Sequence, residues 1–448
     1  MSRTSGPPVK VCIIGGGPLG IGLGRELGDG AIDYDLFETE ADLGGVWNGE
    51  GRSGRVYPSL HLISPKFNTQ VPDFPMPASY PVYPNHRMML AYLRDYARTY
   101  GVYEHCIFNT AVTWLTPRGE GWEVETSAGG REYYDIVAVC NGAQRIPRYP
   151  SPPYPGDFTG ETLHSMDYKS PDQLRGRRVL VVGAGNSGCD IAVDAVHHAR
   201  SVLHSTRRGY HYYPKFIDGK PTPQWMLQLG NKFESKAQTM AYIKQVFKLA
   251  GFDGTDYGLE PPDHPLDGAH PIMNSQILYH IGHGDITPKG DIARFSGRTV
   301  VFEDGSEATV DLIVYATGYD RDFPFIDPDL LEWKHGIPDL FIHIVPRNLD
   351  NIFFFGFVNA AAGLGDGLRL QGQFVRSYIK AYVGKTPGYR EFIRAKQSEN
   401  PDLGQDYFLD SHRHLWEVDF WKFIKWARHY RDLLDPSTPR HPSIDATP

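Results

Sequence analysis

Hydrophobic and polar positions follow two regimes along this chain. Short continuous apolar runs closed by glycine read as strands buried on both faces of a parallel sheet. "VKVCII" (9–14) is the first, followed by the turn "GGGPLGIG" and a second run, "YDLFE" (34–38). "RRVLVV" (177–182) repeats the pattern ahead of "GAGNSGCDIAVDAV", and "DLIVYATGYD" (311–320) is a further buried strand ending in a glycine turn. Other segments carry a helical period. "MMLAYLRDYARTYG" puts Met89, Tyr92, Leu93, Tyr96, Ala97 and Tyr100 on one face, with Gly101 as the stop. A helix is expected near "AQTMAYIKQVFKLAG", inside a stretch (209–290) that is otherwise hard to segment. The aromatic amphipathic run "LWEVDFWKFIKWARHYRDLL" predicts another, suited to packing on the body or on a second copy. Residues 107–140 read as short antiparallel strands, with "WEVET" and "REYYDIVAV" flanking a turn at "SAGG".

A joint interrupts this series. "IPRYPSPPYPG" holds five prolines between 147 and 155, and proline fixes φ and removes donors, so a domain crossing is expected there. Composition adds little to the fold and something to the partners. The 448 residues are 41% hydrophobic and 22% charged, with 45 Lys and Arg against 53 Asp and Glu, a net charge of −8. No long basic run occurs, which argues against nucleic acid or an anionic membrane as partner. The apolar stretch at 351–365 is too short to span a bilayer, and the N-terminus lacks the apolar core of a signal peptide. A soluble, cytoplasmic protein is expected. The cysteines (Cys12, Cys106, Cys140, Cys189) never form a CxxC or CxxxxC, which removes a zinc ribbon and a redox disulfide; no metal is expected.

The glycines carry the chemistry. Gly15, Gly17 and Gly20 form a GxGxxG between an apolar strand and a helix, the arrangement that brings backbone N–H groups to a pyrophosphate. Glu38 ends the next strand, 18 residues after Gly20, where a carboxylate accepts ribose hydroxyls. This is read as the FAD site, with Pro18 and Val112 as further contacts. Gly183, Gly185 and Gly188 repeat the signature, with Asn186 and Ser187 opening the helix. After its second strand come Ser205, Thr206, Arg207 and Arg208 in place of an acid, which suits the 2′-phosphate of NADPH. A chain with a flavin, a nicotinamide cofactor and no redox cysteine pair sends its electrons elsewhere, and O2 is the leading acceptor.

"DFTGETLHSMDYKS" (157–170), just ahead of the second glycine loop, contains FxGxxxHxxxYK with Phe158, Gly160, His164 and Tyr168. This resembles the fingerprint of the flavin-containing monooxygenases; the related Baeyer–Villiger monooxygenases usually carry Trp at the position of Tyr168. "LGGVW" (43–47), "PDFPMP" (72–77), "GNSGCDIA" (185–192), "STRRG" (205–209), "DLIVYATGY" (311–319) and "FPFID" (323–327) extend the resemblance over most of the chain. It implies an α/β fold of two Rossmann-like dinucleotide-binding domains, the NADPH domain inserted into the FAD domain. The expected division is 1–152 and 310–448 for the FAD domain, and 153–309 for the NADPH domain with an insertion at 209–290. Gly45, Trp47 and Gly318 are further implied FAD contacts, and His164 and Tyr168 are implied couplers of the two domains. Gln371 and Gln373, in "GLGDGLRLQGQFV" (363–375), are candidates to line the flavin.

The implied reaction is that of an N,N-dimethylaniline monooxygenase-like enzyme. NADPH reduces FAD, O2 adds to give a C4a-hydroperoxyflavin, and a small soft nucleophile takes one oxygen at N or S. The protein's task is to keep that oxygen dry. Aligning "YPSLHLISPKF" by Tyr57, Leu60, Pro65 and Lys66 puts Ile63 where the family has an Asn that contacts the flavin, with His61 and Ser64 nearby. Isoleucine makes no hydrogen bond, so the catalytic residue is left unassigned. Three alternatives stay open: Baeyer–Villiger oxygenation of a ketone, an uncoupled NADPH oxidase releasing hydrogen peroxide, and a flavin-binding sensor. The C-terminal helix would suit a homodimer contact.

Overall fold

The computed structural model describes residues 9–230, 232–359, 363–440 and 445. The signal-peptide expectation (1–8) and the 360–362 portion of the apolar stretch lie outside them. Two five-stranded parallel sheets organise the chain. The first runs Ile352–Phe354, Ile136–Val139, Lys10–Ile14, Asp33–Phe37, Cys106–Ile107 across the sheet. The second runs Ile286–Lys289, Ser201–Ser205, Arg178–Val182, Leu312–Tyr315, Glu161–His164. The central strands of both sheets are apolar runs picked out above, buried apart from the half-buried Lys10 and Arg178 at their starts. Strand order reverses beside Lys10–Ile14 in one and beside Arg178–Val182 in the other, the crevice position where ligands of such sheets bind.

Two expectations about these strands change. "REYYDIVAV" is not one strand: Arg131–Tyr134 pairs antiparallel with Gly121–Thr126, and after Asp135 the chain turns into the first sheet as Ile136–Val139. Asp135 makes the corner by accepting from Lys10 N at 2.8 Å. The expected boundary at 309/310 also falls too early, because Leu312–Tyr315 is hydrogen-bonded to both Arg178–Val182 and Glu161–His164 inside the second sheet. The insertion likewise ends before 290, since Ile286–Lys289 is the edge strand of that sheet. The chain crosses between domains at two places, and they touch: Ile146–Pro147 and Tyr319–Asp320 pair as a short antiparallel ribbon.

Within the insertion the expected helix spans Lys236–Leu249, capped by Ser235, and two shorter helices, Thr222–Leu229 and Ile277–Gly282, flank it. Tyr213, Ile217, Trp225, Leu229, Ile243 and Phe247 give this region a small core of its own. The C-terminal part packs a long helix, Leu364–Gly384, along the helix Pro18–Asp29 of the first glycine turn. A buried ion-pair set lies between them, with Glu26 held by Arg369 and by Arg376 at 3.1 Å. The aromatic helix Phe420–Leu434 turns Phe423, Ile424, Ala427, Tyr430 and Leu434 onto Leu364–Gly384. Among the described residues no helix is long and apolar enough to cross a membrane.

Phe353 sits fully buried in the edge strand of the first sheet, its ring 4.9 Å from that of Tyr378 on the long helix. Phe353→Ala should lower unfolding free energy by about 3–5 kcal/mol, read from denaturant titration, by leaving a cavity between sheet and helix.

Candidate functional site: two glycine turns and the joint between them

At the first reversal the chain leaves Ile14 and turns at Gly15 with φ +109°, and a Cβ there would stand 2.6 Å from Cys140 O on the neighbouring strand. Gly15 N donates to Phe37 O at 2.8 Å. Gly20 packs against the carbonyl of Gly15, so a side chain would push helix and strand apart. The helix begins at Pro18 behind Gly17, with no side chain capping its first N–H groups. Glu38 is buried at the end of the next strand, accepting from Gly16 N (2.7 Å) and Glu40 N (2.9 Å), which holds its carboxylate against the turn. The "LGGVW" loop closes over the same place. Gly44 N donates to Gly16 O at 3.0 Å, a Cβ on Gly45 would meet Gly17 Cα at 2.9 Å, and Trp47 is half-buried beside them. Val112, buried, starts a strand two residues after Thr110, whose N–H donates to Glu38 O.

Two asparagines that the sequence reading passed over complete this cradle. Asn48 and Asn141 each bury a side-chain oxygen that has no partner. Asn141 follows Cys140 at the carboxyl end of its strand and donates to Asp322 O at 2.8 Å. Uncapped N–H groups, bare backbone and orphaned amide oxygens together fit a dinucleotide such as FAD. Gln371 accepts from Gly356 N (3.1 Å), tying the long helix to the carboxyl end of the edge strand. Gln373 does not face this place: it is buried under the C-terminal helix and accepts from Arg431 at 3.0 Å. Two helical positions separate the pair, which turns them to different sides.

The second turn repeats the first. Gly183 has φ +117° with its absent Cβ 2.5 Å from Ala316 O, and Gly188 packs on the carbonyl of Gly183. Gly185 precedes the helix Asn186–Val196, again without a side-chain cap, and Ser187 is half-buried in its first turn. Two expected cofactor ligands are occupied by protein instead. Asn186 donates to Pro271 O (3.0 Å) and accepts from Met273 N (2.8 Å), pinning the insertion to the glycine turn. Ser205 is buried and donates to Gly290 O at 2.7 Å. Arg207 is exposed, and Arg208 reaches Asp263 only at 3.7 Å, so these guanidinium groups are the ones available to an anion.

The fingerprint lies on the joint. Glu161–His164 is the edge strand of the second sheet, and His164 is buried between Tyr149 (5.4 Å between ring centroids) and Tyr319 (5.3 Å). Those tyrosines belong to the two crossing segments. Burial lowers the His164 pKa, against the opposing pull of the Gly318 and Arg148 carbonyls, and so favours the neutral imidazole; Nδ1 accepts from Met166 N at 3.1 Å. Tyr168 is fully buried, packs its ring at a tilt against that of Tyr57 (5.2 Å between centroids) and donates to Asp194 at 2.9 Å. Lys169 Nζ donates to Gly54 O at 2.6 Å. Tyr57 and Gly54 come from the first domain, and Tyr57 itself donates to Asp190 at 3.1 Å. Asp190 and Asp194, one helical turn apart on Asn186–Val196, were not legible as partners. Only the i, i+4 spacing of two acids on one face marks them.

Gly318, φ +92°, accepts from Arg148 N at 3.0 Å beside His164. Ile63 packs against the small core of the insertion. His61 is held by Ser59 O (2.8 Å) and Ser64 by Thr69 (2.7 Å), so both have local partners. All four cysteines are free, and burial pushes their thiols up, Cys106 to about 12. Among the described residues no group of His, Cys, Asp and Glu is placed to hold a metal.

A family model described as flavin-binding monooxygenase-like matches residues 8–429. Flavin-containing monooxygenase 5 of Cavia porcellus is 29% identical over 433 residues, covering 92% of this chain and 80% of that protein. The dimethylaniline monooxygenase [N-oxide-forming] 2 of Pan troglodytes is 30% identical over 396 residues, covering 83% and 73%. Among solved structures, a flavin-containing monooxygenase from Stenotrophomonas maltophilia superposes with a TM-score of 0.61 at 21% identity, over 84% of this chain and 98% of that one. A cyclohexanone monooxygenase bound to epsilon-caprolactone does so with 0.69 at 17% identity, over 95% and 97%. At these identities the structures speak for the fold alone.

The two turns separate in a cofactor experiment. Gly15→Ala should purify without flavin absorbance, whereas Gly183→Ala should keep FAD and lose reduction by NADPH. A second outcome concerns pH. Burial raises the Asp190 carboxyl to about 6 from an ordinary 3.8, against the opposing pull of Lys215 and Tyr57. The folded state therefore holds a proton that the unfolded chain releases, a contribution present below pH 4 and lost as pH rises through 6. Relative to Asp190→Asn, the wild-type protein should lose roughly 2–3 kcal/mol of stability across that window in denaturant titrations.

Proposed function

Since the chain belongs to the flavin-binding monooxygenase-like family, we propose that it moves one oxygen atom from O2 to the nitrogen or sulfur of a small soft nucleophile. It is a flavin-dependent monooxygenase, an oxidoreductase with FAD and NADPH as its cofactors. When bound and reduced by NADPH, FAD supplies the activation of O2. The observation that carries N- or S-oxygenation is Tyr168, the form of the fingerprint found in flavin-containing monooxygenases, fully buried with its hydroxyl on Asp194 at 2.9 Å. The name of the Pan troglodytes relative, which specifies N-oxide formation, supports the same reading.

The chain's residues bind and exclude water rather than move protons. The two uncapped helix starts receive the pyrophosphates, Glu38 takes the flavin-side ribose, and Arg207 and Arg208 take the 2′-phosphate that distinguishes NADPH. Tyr168, Lys169 and Tyr57 fix the second domain on the first, so that one cofactor is presented to the other. His164, neutral and lodged between the crossing segments, orients the joint. Ile63 favours a second reading. By the alignment on Tyr57, Leu60, Pro65 and Lys66 it takes the position of the family's hydrogen-bonding Asn, while its side chain packs on the core of the insertion. The loss of that hydrogen bond supports an enzyme that releases part of its oxygen as hydrogen peroxide.

The test is to reduce the purified flavoprotein with NADPH without air, then mix it with oxygenated buffer with and without thioanisole or a tertiary amine. Sulfoxide or N-oxide matching the NADPH consumed is the expected result. Stoichiometric peroxide with every nucleophile would replace the proposal with the oxidase reading. Ile63→Asn should lower the peroxide released per NADPH by about fivefold, the worth of one added hydrogen bond near 1 kcal/mol.

A further inference from the structure

Arg321 is a cation that the cofactor site does not use. Its guanidinium lies 4.3 Å over the ring of Trp416 and 5.1 Å over that of Phe357, and Nη1 is buried with no hydrogen-bond partner. No ion pair among the described residues includes it. Stacking on aromatic faces returns about 2 kcal/mol when the cation is desolvated, while taking an ion out of water costs several kcal/mol. The charge is therefore under-compensated. Burial accordingly draws the guanidinium down to about 9. The acid in this neighbourhood, Glu417, is fully buried and already committed. One oxygen is 3.0 Å from His270 Nδ1 and the other accepts from Asn359.

The place is as telling as the charge. Asn141, at the carboxyl end of the strand bordering the first glycine turn, donates to the carbonyl of Asp322, next to Arg321. Phe357 follows the edge strand Ile352–Phe354 of the same sheet. Arg321 thus stands near the carboxyl ends of Ile136–Val139 and Ile352–Phe354 in the first sheet. His270 brings the insertion to this spot, and the segment around Trp416 brings the C-terminal part. Arg413, on that same segment, adds positive potential. The indole of Trp416 and the phenyl of Phe357 flank a guanidinium that has no ion pair among the described residues, and a guanidinium takes a planar anion by two parallel hydrogen bonds.

We infer that Arg321 anchors a carboxylate of the substrate, so that the molecule oxygenated carries a carboxylate as well as its soft nitrogen or sulfur. This rests on the oxygen-transfer reading for its second half only. The test uses a matched pair of probes, (phenylthio)acetate and its neutral amide, titrated onto the FAD-loaded enzyme and read from the perturbed flavin spectrum without turnover. The wild-type enzyme should bind the acid at least about tenfold more tightly than the amide, and Arg321→Met should abolish that ratio. Arg321→Lys, which keeps the charge without the fork, should keep part of it and covers the case in which the methionine variant does not fold. Equal binding of acid and amide by the wild-type enzyme would overturn the inference. So would a ratio that Arg321→Met and Arg321→Lys leave unchanged, or an effect confined to NADPH affinity. An acid preference that depends on Arg321, with no sulfoxide formed when NADPH and O2 are then added to the same complex, would sustain the anchor and defeat the oxygen-transfer reading instead.

Discussion

Everything functional here depends on a backbone constraint. At Gly15 and Gly183 the chain must turn within van der Waals distance of a carbonyl on the next strand, Cys140 O in one sheet and Ala316 O in the other. Any Cβ would force strand and turn apart. The two sites are one solution used twice: a central strand, a neighbour from far along the chain on one side, and a helix that starts uncapped. Because those neighbours are distant in sequence, neither turn is complete until the chain has returned. Ile136–Val139 completes the first and Leu312–Tyr315 the second. Cofactor binding and global topology are the same event in this architecture.

The joint explains how two such bodies work as one. Tyr57 reaches Asp190, Ser59 reaches Asp194 at 2.6 Å, and Tyr168 reaches Asp194 from the other side. Two carboxylates one helical turn apart, on the helix that the second glycine turn starts, therefore hold both domains. The arrangement is polar but largely buried, which is why Asp190 carries a raised pKa while still accepting hydrogen bonds. A polar contact of this kind fixes orientation better than an apolar one, since each hydroxyl has a single geometry that satisfies it.

The parts of this structure that local pattern dictates were legible in the sequence. Apolar runs closed by glycine gave the central strands, the 3.6 period gave His86–Thr99, and the carboxylate at Glu38 sat where strand length put it. What was not legible depends on partners far away in sequence. "REYYDIVAV" looks like one strand, and only the pairing of Asp135 with Lys10 breaks it. Asn186 and Ser205 look like cofactor ligands until Met273 and Gly290 are brought to them. Thr222–Leu229 lies in the stretch that resisted segmentation, and Pro223 falls in its first turn, where proline is tolerated. Arg321 carries no local signal at all. An arginine after a glycine turn is ordinary until Trp416 and Phe357 close around it.

The ribbon at the crossing has a bearing on modularity. Pro147 lies opposite Tyr319, and Ile146 opposite Asp320, so the inserted body leaves and re-enters at neighbouring points. Its ends are already the two strands of a hairpin that lacks only a tight turn. The middle of this gene is thus a removable cassette: excising it and bridging the ribbon with two turn residues would leave the outer sheet and its helices with their connectivity unchanged. Such a geometry lets one nucleotide-binding body be acquired, exchanged or lost in a single step, without re-threading the domain that surrounds it.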